Sequence, residues 1–231
     1  RHHGHQRYAE VCSVRSRKPV TENNQYQIQT MKILIDNGHG KETAGKRSPY
    51  SSFKVQPALD FFEWSWNREI ARRIVCTLKH WGYDAELLVP EETDISLAER
   101  CKRANKYKDA ILVSIHANAH GNGREWNNAR GWSVYTSKGQ TKADILATDI
   151  WNAAKRHLPE SFTMRKDTTD GDVDYEESFY ILKHTTCPAV LTENLFYTNV
   201  KDTEYLLSSE GKKAIIDAHI DGILAYLQNP Q

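Results

Sequence analysis

Nowhere does this 231-residue chain hold the roughly 18 consecutive apolar residues that a helix needs to cross a bilayer; its most hydrophobic runs, DAILVSIHA and CPAVL, are strand-sized. A membrane-spanning helix is thereby excluded. Nor is one sign of charge in excess: 31 Lys and Arg face 30 Asp and Glu, which argues against nucleic acid as a partner. The four cysteines, Cys12, Cys76, Cys101 and Cys187, lack CxxC spacing and are too few for a disulfide scaffold, so reduced, mostly buried thiols are expected. The N-terminus has no apolar segment of the signal-peptide kind, which predicts a cytoplasmic chain before release, although a chain whose signal had been removed would look the same. Internal repeats, a Walker loop and a dinucleotide fingerprint are missing too; GHGKETAGK carries glycines and lysines with neither spacing.

What is present suits one substantial domain. Hydrophobic residues make up 39% of the chain, with 6 Trp, 11 Tyr and 6 Phe, enough to build a real core. Residues 1–30 are basic, hold three closely spaced histidines (His2, His3 and His5) and show no periodic apolar face, so they are read as a flexible extension. Residues 31–231 are read as the folded domain.

Within it, KILI, YDAELLV, AILVSIH, GWSVYTS and PAVLTEN read as strands, AILVSIH being apolar enough for a central parallel strand covered on both faces. Helical spacing of Trp66, Ile70, Ile74, Leu78 and Trp81 predicts a helix stopped by Gly82. Ser96 and Glu99 have capping-box spacing ahead of a second helix; Thr141–Leu158, with Ile145, Leu146, Ile150, Trp151 and Ala154, predicts a third, and the segment from Ser208 to Gln228 a last. FYILKH is left between strand and helix, and DTTDGDVDYEES is an acidic loop. Alternating short strands and longer helices predict an α/β fold: a three-layer α/β/α sandwich with a mostly parallel central sheet.

His39, His116 and Glu193 each stand where an apolar strand gives way to a polar loop, in ILIDNGHG, LVSIHANAH and AVLTENLF. The carboxyl ends of parallel strands open on one edge of such a sheet, so these groups should converge there. Two imidazoles and a carboxylate suit zinc and leave a fourth position for water, which a second carboxylate can deprotonate. Spacing leaves the ligating acid open. Glu42 follows His39 as HxxE, as in zinc carboxypeptidases, whereas Glu63 sits at the start of the first helix.

Residues 32 to 227 resemble the zinc-dependent N-acetylmuramoyl-L-alanine amidases of the type-3 cell-wall hydrolase family, in four separated motifs in the right order. IDNGHGK resembles the family's D-x-GHGG turn; FFEWSWN carries its glutamate and the asparagine four residues on, at Glu63 and Asn67; SIHAN carries its S-x-HxN signature at Ser114, His116 and Asn118; CPAVLTENLFYTN resembles its P-A-x-L-x-E strand. The resemblance implies one zinc on His39, Glu63 and His116, Glu193 as the catalytic acid-base, and peptidoglycan or a muropeptide as substrate, cut between N-acetylmuramic acid and L-alanine. It further implies action on the bacterial cell wall, by a prophage lysin or a remodelling enzyme, with a monomer expected. Two departures, Lys41 after GHG and Asn194 after the catalytic glutamate, touch no implied ligand. Asn67, Asn118, His120, Arg165 and His184 are candidate substrate or supporting contacts, together with Arg124, Trp126 and Asn127. A carboxypeptidase-like peptidase using Glu42 and an inactive peptidoglycan-binding domain are the competing readings.

Overall fold

The computed structural model describes residues 31–49 and 59–228. The expected extension, with its histidines and Cys12, lies outside the described residues, as do residues 50–58 of the long polar loop after His39. The elements run β1 (Lys32–Asp36), α1 (Glu63–His80), β2 (Ala85–Leu87), α2 (Leu97–Ala104), β3 (Ala110–Asn118), β4 (Ser133–Thr136), α3 (Lys142–His157), β5 (Tyr175–Glu176), α4 (Tyr180–Lys183), β6 (Ala189–Phe196), α5 (Val200–Leu207) and α6 (Ser209–Gln228).

One sheet holds all six strands in the order β2-β1-β3-β6-β4-β5. β1, β2, β3 and β6 pair in parallel, as the expected mostly parallel sheet requires; β4 joins β6 antiparallel, and β5 joins β4 in parallel. Alternation along the central strands feeds two cores. Ile33, Ile35, Ile111, Val113, Ile115 and Val190 pack toward α1, α3 and α6, whereas Leu34, Leu112, Ala189 and Leu191 pack toward α2 and α4. The result is the three-layer sandwich.

The helix ends follow local chemistry. α1 stops where Gly82 takes φ +86°, a conformation costly for residues with a Cβ. Ser96 accepts from the Glu99 N–H at 3.2 Å, but the Glu99 carboxylate turns to Arg103 at 3.4 Å, so only half of that box forms. The full box belongs to α3, where Thr141 and Asp144 cap each other. Several expectations are corrected. Ile145 is 44% exposed because it lies off the buried stripe of α3; FYILKH becomes the single turn α4; α5 and the two-residue β5 were not anticipated. Cys101 and Cys187 are free and buried, but Cys76, half-buried on α1, is disulfide-bonded.

Two close features bear on the site. β3 and β6 run in register with His116 opposite Glu193, then slip so that Asn118 faces Phe196; β6 gains one residue there, and Leu195 adopts φ +64°. Behind the sheet, a Cβ on Gly222 of α6 would stand 2.4 Å from Ile150 Cα of α3. Gly222→Ala is therefore expected to push the two helices apart at a cost of about 1–3 kcal/mol, read as a lower urea midpoint with unchanged slope.

Candidate active site

Three carboxyl ends of parallel strands meet as anticipated. β1 ends at Asp36, and the turn after it carries His39 at φ +59°; β3 carries His116, and β6 carries Glu193 beside it. Gly38 makes the turn possible, since a Cβ there would lie 2.3 Å from His116 Cε1 and its φ is +36°. Glu63, 2% exposed in the first turn of α1, reaches between the rings: its Oε2 is 3.2 Å from His39 Nε2 and its Oε1 3.1 Å from His116 Nδ1. The rings stand edge to face, with centroids 4.9 Å apart.

Donor atoms of His39, Glu63 and His116 lie within 4.8 Å of one another. Four ligands arranged tetrahedrally at about 2.1 Å from zinc stand about 3.4 Å apart, close to the two separations above. Burial pushes the Glu63 carboxyl up, but hydrogen bonds to His116 and His39 outweigh it and hold the group below the usual carboxylate range. An ionised buried carboxylate between two imidazoles fits a divalent cation. Glu42 stands apart from this set: its Oε2 accepts from the Asp94 N–H at 3.1 Å.

A buried polar chain sets the face that His116 presents. Arg100 and Asp36, each 2% exposed at the side chain, form an ion pair. An ionised Asp36 can only accept, so the Ser114 hydroxyl donates to its Oδ2 at 2.6 Å and has a lone pair left for His116 Nε2–H at 3.1 Å. Nδ1 of His116 is the ring nitrogen left to face Glu63. Arg100 also donates to the His39 carbonyl at 3.1 Å, tying both histidine segments to one guanidinium. Sequence reasoning missed Asp36 and Arg100; the visible signal was an aspartate closing a strand and an arginine on the apolar side of α2.

Glu193 faces the same cleft of about 960 Å³, with its Oε2 buried and unpartnered. Burial, then the charge of Glu63, raises its carboxyl well above the usual range, while Lys46 and Arg165 oppose the shift. Lys46 and the 121–123 turn line the cleft without having been singled out. Asn194 is more than a departure: it is fully buried, donates to the His116 carbonyl at 2.8 Å and accepts from Trp132 Nε1 at 2.7 Å, bracing β6 against β3.

The remaining candidates divide. Asn118 lines the cleft, and Arg165 stacks over Phe196 and Tyr175 at 5.2 and 5.6 Å. Asn67 is fully buried, with both side-chain atoms unpartnered. His120 is exposed, and His184 is exposed with its ring stacked on Tyr180 at 4.1 Å; neither lines the cleft. Trp126 and Asn127 border a different depression beside Asn199 and Lys201. Lys41 is exposed and also lies off the cleft lining.

Residues 33–225 match the N-acetylmuramoyl-L-alanine amidase family. The chain belongs to that family. It is 28% identical over 196 residues to the N-acetylmuramoyl-L-alanine amidase LytC of Bacillus subtilis, covering 84% of this chain and 35% of LytC. It is also 28% identical over 202 residues to the endolysin of Bacillus phage SPP1, covering 84% of this chain and 65% of the endolysin. The chain thus spans about a third of one relative and just under two thirds of the other. Its fold is that of the N-acetylmuramoyl-L-alanine amidase from Clostridium difficile 630, with TM-score 0.71, 24% identity and coverage of 88% of this chain and 100% of that one. Among the described residues of this family member, no helix is long and apolar enough to cross a membrane.

Proposed function

We propose that residues 31–231 form a catalytic domain that hydrolyses the amide bond between N-acetylmuramic acid and the L-alanine of peptidoglycan stem peptides, with one zinc ion on His39, Glu63 and His116 and with Glu193 as the general acid-base. The observation that carries this is the two-imidazole, one-carboxylate donor set with Glu193 facing it across one cleft. When bound, zinc supplies Lewis acidity toward water and the amide carbonyl. Glu193, whose raised proton affinity suits a base, takes the proton of the attacking water and passes it to the leaving nitrogen. Lys46 and Arg165 flank it with positive charge, and Asn118 offers a polar contact in the cleft. Engagement of Glu42 with the Asp94 backbone speaks against the carboxypeptidase-like reading, and retention of Glu193 against an inactive binding domain.

Purified peptidoglycan is the test. New alanine amino termini should appear with zinc present and disappear on chelation; binding without their release, or release that survives chelation, would refute the proposal. A second expectation follows from the polar chain behind His116. Ser114→Ala should weaken zinc binding by about 10–100-fold, as checked by competition against a chelating dye, and should cost the metal-free protein about 1–3 kcal/mol because Asp36 Oδ2 loses its donor.

A further inference from the structure

On the edge of the sheet away from the cleft floor, Asp144 in the first turn of α3 meets Asp172 and Asp174 of the acidic loop, one oxygen of each lying within 4.8 Å of the others. Asp174 is 1% exposed and Asp144 7%. Their hydrogen-bond donors are all neutral: Thr136 Oγ1 to Asp174 at 2.5 Å, Gln140 Nε2 to Asp172 at 3.2 Å, and the Thr141 N–H and hydroxyl to Asp144 at 2.5 and 3.3 Å. Oδ1 of Asp172 and Oδ1 of Asp174 are buried and accept from no donor outside the trio. A carboxylate oxygen buried without a donor is costly, and two beside each other more so, unless a cation occupies the space they face. We propose that Asp144, Asp172 and Asp174 bind a calcium ion.

The donor chemistry selects the ion. Only oxygen is offered, which suits hard cations rather than zinc. Three protein carboxylates on one ion suit calcium, which takes six to eight oxygens in flexible geometry, rather than magnesium, which keeps several waters and is held by one or two carboxylates. A shallow depression bordered by Gln140, Thr141, Asp144 and Asp172 gives water access to the remaining coordination positions. Without a cation, burial first, then the charge of Asp172, a hydrogen bond shared with it and the charge of Asp144 push the Asp174 carboxyl up to about 7, against the Thr136 hydrogen bond. The ion ties the 167–174 segment to the start of α3. That segment leads into β5, whose Tyr175 lies under the Arg165 guanidinium, so calcium would steady the strand edge beside Arg165 without entering the reaction. The site uses none of the residues in the amidase reading, and its failure would leave that reading intact.

Calcium titration of the zinc-loaded protein, by calorimetry and thermal unfolding, tests this. At about 5 mM calcium the thermal midpoint should rise by roughly 2–4 °C, and magnesium should give no comparable rise. Asp172→Asn combined with Asp174→Asn should abolish the response. Because these changes relieve like-charge crowding, the calcium-free variant should unfold no earlier than the parent, which separates loss of the site from loss of the fold. Absence of binding heat and of a midpoint shift in the parent, an equal response to magnesium, or a calcium response that persists in the double variant would overturn the proposal.

Discussion

Glu193→Gln is expected to keep the zinc and the fold yet lose about 100-fold or more of the turnover, the scale on which a positioned general acid-base group acts. The amide nearly matches the carboxylate in shape, and Glu193 is not one of the three clustered donors. Its buried Oε2 has no protein partner to lose, so the substitution strands no donor elsewhere. Replacing a buried carboxyl whose charged form burial and Glu63 already disfavour should not destabilise the metal-free protein. His116→Ala separates the roles from the other side. It opens the donor set, leaves His39 and Glu63 alone, and should lose metal and activity together. Metal stoichiometry measured beside release of alanine amino termini distinguishes the two variants; if Glu193→Gln retained near-parent turnover or shed zinc as His116→Ala does, its assignment as the base would be wrong.

Arg100→Leu should be the more damaging change to the fold. The guanidinium is buried and is held by Asp36, by Asp94 at 3.1 Å, and by the Ile95 and His39 carbonyls at 2.7 and 3.1 Å. Deleting it leaves the Asp36 carboxylate, 1% exposed, without its countercharge, a loss of about 3–5 kcal/mol. Arg103→Leu is the internal control. Arg103 pairs with Glu91 at 2.8 Å, but both side chains are solvated, and its removal should cost no more than about 1 kcal/mol. Urea midpoints of the two variants test the contrast, and adding Asp36→Leu to Arg100→Leu should recover much of the loss because no charge is then left unpaired. Equal effects of the two single changes would mean that the buried pair contributes little.

The central strands were legible because burial on both faces writes them as unbroken apolar runs: AILVSIH could be nothing shorter than β3. The direction of β4 was not, since four residues of SVYT look alike in either orientation and the reversal is set by the path the chain takes after β3. α5 was overlooked because VKDTEYLL mixes acids with its apolar positions and relies on Asn199, whose side chain accepts from the Asp202 N–H, to start it. In the site, the metal-facing residues were readable from their places at strand ends. The ambiguity between Glu42 and Glu63 was not resolvable by spacing: HxxE puts both groups together only on a helix, and here His39 sits in a left-handed turn that sends Glu42 to Asp94. Roles that depend on partners some 60 residues away, such as Arg100 for Asp36, leave no local pattern to read.

The extra residue in β6 governs which length changes the chain can absorb. Excising Leu195 would keep Phe196 opposite Asn118 but empty a fully buried core position, whereas one further residue between Glu193 and Tyr197 would swap the side chains beyond it to the other face. Tyr197 would leave its stack on Phe61, now 5.5 Å between ring centroids, and Phe196 would leave the Arg165 guanidinium. Insertions in the exposed turns between β3 and β4, around Gly121 and Gly123, meet nothing comparable, for no atom lies within 4 Å of where a Cβ would project at either glycine. Chains built on this plan can differ by many residues between those strands, and by none between Glu193 and Tyr197.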